Sequence, residues 1–448
     1  MAKAQLFENE AFNQHFKNLF KDEYDAFVEA VNAKPNVSVR RNLHKPIGAL
    51  PFELSQPVEW CSHAGFVDER PAFWADPFHH AGAYYVQDSS SMFFANAIDF
   101  SKDLLVLDLC AAPGGKSTLL LDYLSENSLL VSNELDIKRN QVLVENLARW
   151  GVPNSVVTNS KASDFEKLGA VFDVVVVDAP CSGEGMFRKD IRTVEQWSPG
   201  FVRNCELAQQ EILGSIDKIL KPGGLLVYST CTYEPSENEQ QLQNLFASAA
   251  FEPVEIATKP EWYMEKREFD ANGGAFSGYY FYLHKTPGEG QYVCVARKIG
   301  EERNSTPKTK GFRKAAALPV EFANCIPPTY QTIEFKGSIY ALSIKYAEII
   351  GELQAHFPLW KLGVRVGSFK GKDFVPDHEF AMSTWLLNFE TVELNYEQAL
   401  SYLRREPVQI SVAKGQVLLS YKQLPLGWGK SLGNRINNQF PKHLKLRK

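Results

Sequence analysis

The stretch Val171-Phe172-Asp173-Val174-Val175-Val176-Val177-Asp178 constrains this chain most. Four consecutive valines cannot alternate between a wet and a dry face. β-Branched side chains favour extended backbone, so the run reads as a strand buried on both sides. The neighbouring sequence repeats the pattern. Leu104-Leu105-Val106-Leu107-Asp108, Leu129 to Glu134, Ser155 to Thr158 and Leu225 to Thr230 are further short apolar runs. Helical stretches lie between them, from about Lys116 to Leu124, from Asp136 to Trp150 and from Arg203 to Leu220. Gly151 and Pro153 stop the second, and Pro222-Gly223-Gly224 ends the third. Strands alternating with helices predict a mostly parallel α/β sheet.

The flanks read differently. Residues 1–50 mix amphipathic helical patterning with a basic turn, Ser38-Val39-Arg40-Arg41-Asn42-Leu43-His44-Lys45. Residues 51–100 are rich in aromatics, His and Pro, without a clear period. The segment 300–316 is polar and breaker-rich, as a linker would be. Beyond it, Gly363 to Phe369, Val408 to Val412 and Val417 to Tyr421 are β-type runs that suggest a small, separate module. The expected division is an N-terminal arm over 1–100, an α/β domain over 101–299, the linker, and a C-terminal region over 317–448.

With 44% apolar and 23% charged residues, disorder is excluded. Seven cysteines in 448 residues do not form a disulfide framework, which favours a reducing compartment. No secretory apolar segment opens the chain, and no run approaches the roughly 20 apolar residues of a membrane helix. Cytoplasm, with no membrane partner, is the expectation. The formal charge of −5 hides a split. Residues 1–300 carry 27 basic and 40 acidic side chains, net −13; residues 301–448 carry 21 and 13, net +8. Such a split flags a partner bound at one end, against the plainer reading of a solvated basic face.

The loops after the strands carry the candidate chemistry, because open α/β sheets bind ligands at the carboxyl ends of their strands. Asp108-Leu109-Cys110-Ala111-Ala112-Pro113-Gly114-Gly115-Lys116-Ser117 is a small-residue turn. It is neither G-x-G-x-x-G nor a P-loop, since Cys110 stands where the P-loop needs its first glycine. Glu134, at the end of the second strand, is placed to accept hydrogen bonds from ribose hydroxyls, or else to complement a helix dipole. A nucleoside-bearing cofactor follows from the first alternative. Cys181 and Cys231 each follow a strand of the same sheet. One such thiol is more often a core filler; two at the ligand-binding edge suit nucleophilic chemistry. Cys61, Cys205, Cys294 and Cys325 lack such placement and read as structural. No C-x-x-C pair occurs and His79-His80 are adjacent, so no metal is expected.

DLCAAPGGKS from Asp108, Asn133-Glu134, DAPCSGEGMFRKD from Asp178, and PGGLLVYSTCT from Pro222 followed by Glu237-Asn238-Glu239 occur in that order. Together they resemble the RNA cytosine-C5 methyltransferases of the NOL1/NOP2/Sun family, over about residues 35–299. Gly82 to Ser90 and Gly288 to Gln291 also look like it. Leu424 to Lys430 and Gly433-Asn434-Arg435 are similar to the PUA-like tail of its ribosomal RsmF (YebU) branch. The resemblance implies a Rossmann-like methyltransferase sheet, an N-terminal α/β arm that helps to bind RNA, and a β-rich PUA-like RNA module. It implies S-adenosyl-methionine as cofactor, wrapped by Cys110, Ala111, Ala112, Pro113, Gly114, Gly115 and Lys116, with Glu134 on the ribose. Asp178 would lie beside the methyl group and the target base, Cys231 would be the nucleophile, and Cys181 would help release product. The family has an acid near the adenine after the third strand. Ser160-Lys161 stand there instead, and Asp164 is the nearest carboxylate. The implied substrate is 16S rRNA or the 30S subunit, with tRNA and a non-catalytic ribosome-assembly role as alternatives. From Lys430 to Lys448 six Lys or Arg occur without an acid, interleaved with Phe440 and His443, as phosphate binding would use.

Overall fold

The computed structural model describes residues 10–45, 47–301, 312, 315–386 and 389–446. Most of the expected linker over 300–316 therefore lies outside the described residues. At the centre is a ten-stranded mixed sheet. Its parallel part consists of β1 (Leu105–Asp108), β2 (Leu129–Asn133), β3 (Ser155–Thr158), β4 (Phe172–Asp178) and β5 (Leu220–Thr230), in the order β5-β4-β1-β2-β3. Val174 to Val177 are at most 3% exposed, as four valines facing two helical layers require. A meander of β6 (Glu265–Ala271), β7 (Gly274–Phe281) and β8 (Gln291–Lys298) continues the sheet antiparallel beyond β5.

The helix between β1 and β2, α1 (Gly115–Tyr123), is buried along nearly its whole length. The next, α2 (Ile137–Trp150), starts where the Asp136 carboxylate accepts the Arg139 N–H and ends at Gly151, whose φ of 85° suits glycine. The helix before β5, α3 (Pro199–Leu213), is capped by Ser198 and begins on Pro199. It starts earlier than the expected Arg203–Leu220 and breaks at Gly214, after which a short helix over Ile216–Ile219 leads into the sheet. Leu220 already pairs with Phe172 in the sheet, and Pro222-Gly223-Gly224 form a bulge inside β5 before Leu225 pairs with Val174. The proline has no N–H to give the ladder, and Gly223 turns with φ of 76°.

Around this sheet the expectations need three corrections. The basic turn expected over Ser38–Lys45 is confined to Leu43–Lys45. Val37–Arg41 is one of two inner strands of a four-stranded N-terminal sheet, with Arg40 wholly buried. Its guanidinium donates to Gln87 Oε1 at 2.9 Å and Thr118 Oγ1 at 2.6 Å, and pairs with Asp122. Lys45 donates to the carbonyls of Ala81 and Arg149, and burial pulls its pKa down to about 7. Second, Val408–Val412 is no strand; Val408 makes one isolated bridge to Ile436. Third, the C-terminal region is not wholly separate. It builds two four-stranded sheets, but β9 (Leu359–Leu362) pairs antiparallel with β3 and completes the central sheet. Within the basic tail, Phe440 and Leu446 are buried. A cavity of about 430 Å³ lies where α2 meets these C-terminal elements. Its ion pairs, Lys361–Glu379 at 2.9 Å and Arg365–Asp377 at 3.3 Å, satisfy one another.

Arg40 and Asp122 tie the N-terminal sheet to α1 with both side chains fully buried. Removing one partner strands the other charge in a dry interior. Asp122→Ala is therefore expected to cost about 3–5 kcal/mol of stability in urea unfolding followed by tryptophan fluorescence. A loss below about 1 kcal/mol would mean that Gln87 and Thr118 alone satisfy Arg40.

Candidate active site

From β1 the chain proceeds to β2 and β3 on one side; from β4 it proceeds to β5 on the other. The loops after these two neighbouring strands therefore part, and a crevice opens at the switch point. It is a cleft of about 910 Å³, lined among others by Cys110, Ala111, Ala112, Pro113, Gly115, Lys116, Glu134, Asp178, Cys181 and Cys231. Two predicted site residues are not on its wall, Gly114 and Asp164. Gly114 sits behind it with φ of 110°, and a Cβ there would press on Leu143 at 3.2 Å, so only glycine makes this turn. The Asp164 carboxylate instead bonds Lys167 at 2.8 Å and the Lys161 N–H at 3.2 Å. Lys167 holds its pKa below the usual range. Ser160, Lys161 and Ala162 occupy the wall where an acid was expected.

Glu134 has the features of a ligand-binding acid. It is 5% exposed, and its Oε1 accepts the Asp136 N–H at 2.9 Å. Its buried Oε2 faces Arg139 at 3.5 Å but accepts no hydrogen bond. A buried carboxylate oxygen without a donor is costly unless a ligand supplies one. Two ribose hydroxyls are donors of that kind, so the site fits a nucleoside. Arg139 also donates to the Ala112 carbonyl at 2.7 Å, which fixes the small-residue turn. Lys116, 7% exposed, reaches across to Asp178 Oδ1 at 2.8 Å, where Ser229 also donates at 2.9 Å. Asp108 beneath the turn is pushed up to about 7, mainly by burial, although the Ser117 hydroxyl donates to it at 2.6 Å. Burial, reinforced by the charges of Glu134, Asp108 and Asp178, pushes the Cys110 thiol far up and leaves it a poor nucleophile.

The two thiols meet. Cys181 Sγ and Cys231 Sγ are 3.3 Å apart, and the Cys231 N–H donates to Cys181 Sγ at 3.2 Å. Contact with Cys231 and then burial hold the Cys181 pKa well above that of a free thiol. The loops that carry them are bound together, since Gly185 N–H donates to the Cys231 carbonyl at 2.9 Å and Gly290 N–H to the Gly185 carbonyl at 2.9 Å. Behind them the N-terminal helices pack Phe12, Phe16, Phe20 and Phe27 against Phe187, Trp197 and Tyr233.

Several wall residues escaped the sequence reading. Tyr85, Gln87, Asp88 and Ser91 come from the N-terminal region, and Lys189 and Arg139 from loop and helix. The Gly82–Ser90 and Phe187-Arg188-Lys189 strings held the signal, but nothing in a linear string says which side chain faces a cleft. The remaining thiols are elsewhere. Cys61, Cys205 and Cys294 are at most 7% exposed, and Cys325 lies on the C-terminal region. Cys61, His63 and Asp122 form a series with links of 3.6 and 3.1 Å, but it lines neither cavity, and Asp122 belongs equally to Arg40. Among the described residues, no group of three His, Cys, Asp or Glu could hold a metal ion, and no helix is long and apolar enough to cross a membrane.

Three family descriptions match the chain. Residues 95–272 match 16S rRNA methyltransferase RsmB/F, residues 9–89 the N-terminal domain of 16S rRNA methyltransferase RsmF, and residues 389–446 the methyltransferase RsmF PUA domain. Among similar proteins is ribosomal RNA small subunit methyltransferase F of Aliivibrio fischeri, 30% identical over 416 residues, 87% of this chain and 85% of the relative. The protein of that name from Salmonella agona is 28% identical over 460 residues, 94% and 92% of the two chains. A methyltransferase homolog from Pyrococcus horikoshii superimposes with a TM-score of 0.54 at 24% identity, over 66% of this chain and 98% of its own. NSun6 from the same organism, solved with the ligand SFG, gives 0.50 at 18%, over 64% and 97%. These likenesses agree with the expected α/β sheet, N-terminal arm and PUA-like C-terminal region.

Proposed function

Since the chain belongs to the RsmF family of 16S ribosomal RNA methyltransferases, we propose that it methylates C5 of a specific cytosine in 16S rRNA through a covalent bond from Cys231 to C6. S-adenosyl-methionine is the cofactor and supplies a methyl group on a sulfonium, which a carbon atom can take only if it is a strong enough nucleophile. Cytosine C5 lacks that strength. Addition of the Cys231 thiolate to C6 turns C5 into an enamine carbon, which takes the methyl group; loss of the C5 proton and elimination of the thiolate then restore the aromatic ring. The base must leave its stack to reach the cleft.

The observation that carries this reading is the thiol pair beside an acid at the switch point. Two thiols 3.3 Å apart cannot both ionise cheaply. Contact with Cys231 and burial raise the Cys181 pKa, which suits it to hold or move a proton during release; the attack is given to Cys231 because the family resemblance puts the nucleophile there. Asp178, about one-third exposed and braced by Lys116 and Ser229, can accept from the cytosine amino group, which uracil lacks. Cys110 to Lys116 would hold the methionine and adenosine parts and Glu134 the ribose. For the adenine edge Asp164 is the acid nearest in sequence, but it lies off the cleft wall and would have to leave Lys167. Residues 301–448, net +8, would supply phosphate contacts.

The test is transfer from methyl-labelled S-adenosyl-methionine to 16S rRNA and 30S subunits from cells lacking the gene, followed by bisulfite sequencing. One cytosine in 16S rRNA should become both labelled and bisulfite-resistant. Label confined to tRNA, or a labelled cytosine that still deaminates, would overturn the proposal.

A further inference from the structure

We propose that Glu237 is a positioning residue that clamps the loop of Cys181 to the loop of Cys231 and so sets the spacing of the two thiols. The proposal rests on the roles given to those thiols above. Glu237 is wholly buried and reaches both loops. Its Oε2 accepts the Ser182 N–H at 3.1 Å, one residue after Cys181, and Gln209 Nε2 of α3 at 2.8 Å. Its Oε1 meets the Ser182 hydroxyl in a short contact and lies 3.5 Å from Thr232 Oγ1, one residue after Cys231. The Tyr228 hydroxyl anchors the Glu237 carbonyl at 2.6 Å.

A count of protons defines the state of the clamp. Ser182 Oγ has one proton but faces two carboxyl groups, Glu237 Oε1 and Glu184 Oε1, the latter at 2.7 Å. If it donates to Glu184, Glu237 Oε1 meets a lone pair unless it carries a proton itself. Trp197 Nε1 also donates to Glu184 Oε1 at 2.7 Å; burial raises the Glu184 pKa as well, so the two carboxyl groups do not both ionise cheaply. The two Oε2 donors on Glu237 leave Oε1 as the place for the extra proton. Other groups facing the cluster are Glu234, paired with His15 of the N-terminal helix, and the thiols Cys181, Cys231 and Cys205. Burial and then the charge of Glu184 hold Glu237 up to about 8, so it is neutral at physiological pH. Above that value a second negative charge appears beside Glu184 and the clamp loosens.

Glutamine reproduces a neutral carboxylic acid, with one acceptor and one donor end; alanine removes both. In single-turnover methyl transfer, Glu237→Ala should lower the rate roughly 10- to 100-fold with little change in KM for S-adenosyl-methionine, and Glu237→Gln should restore it to within about threefold of wild type. Relative to Glu237→Gln, the wild-type rate should fall above pH about 8. A second readout needs no RNA. Diamide oxidises the two thiols to a disulfide and takes up their two protons and two electrons. Cross-linking of Cys181 to Cys231 should slow about tenfold in Glu237→Ala and be near wild type in Glu237→Gln. A glutamine variant as slow as alanine, the same alkaline fall in both, or equal cross-linking in all three proteins would overturn the clamp. If wild type transfers no methyl group at all, the functional reading fails, and the cross-linking rates alone decide the clamp.

Discussion

Cys231→Ala is expected to lower methyl transfer to 16S rRNA by roughly a thousandfold or more while S-adenosyl-methionine still binds. The size follows from the chemistry. Without addition at C6, cytosine C5 has no route to nucleophilic strength, so alanine removes a covalent step rather than a favourable contact. The part of the cleft proposed to hold the cofactor is built from the loops after β1 and β2 and does not depend on this side chain. Cys181→Ala should behave differently. Its partner can still attack, but the group held protonated 3.3 Å away is gone. A protein–RNA adduct should accumulate and survive denaturing electrophoresis. Full activity in Cys231→Ala, or an adduct formed by Cys231→Ala instead, would exchange the two roles, as in an enzyme whose Pro-Cys thiol attacks.

The parallel sheet was legible because its strands are local, short and apolar. Four valines before Asp178, and small residues after Asp108, place two loops at a switch point whatever the rest of the chain does. Cys181 and Cys231 were legible for the same reason, since β4 and β5 are neighbours and each thiol follows its strand closely. Long-range partners were not. Arg40 looks like a solvated charge until Asp122, Gln87 and Thr118 close over it. Leu359–Leu362 has no local mark that it will pair with Ser155–Thr158, about 200 residues earlier. Asp164 was chosen by proximity in sequence, but three residues along a 3₁₀ turn point a carboxylate elsewhere, here at Lys167. The unpartnered Oε2 of Glu134 and the proton shared around Ser182 are properties of packing, which residue spacing does not encode.

Glu134→Gln should weaken S-adenosyl-methionine binding by roughly 10- to 100-fold in calorimetry and shift the melting temperature of the free protein little. The two oxygens of Glu134 do different work. Oε1 accepts the Asp136 N–H at the start of α2, and the glutamine carbonyl can still do so. That bond fixes the rotamer and leaves the amide NH₂ where Oε2 was. There it points donors at Arg139 and at the place proposed for the ribose hydroxyls, both of which are donors themselves. A charge-assisted acceptor is replaced by a mismatch inside a dry wall, and losses of about 1.5–3 kcal/mol are usual for such a change. Glu134→Ala should cost similar affinity but also stability, because the Asp136 N–H then loses its acceptor. Arg139→Ala separates the remaining possibility, that Glu134 acts only by holding Arg139 on the Ala112 carbonyl. If that were its role, Arg139→Ala would weaken binding as much as Glu134→Gln does; with the ribose on Glu134, the arginine variant should lose less than about fivefold.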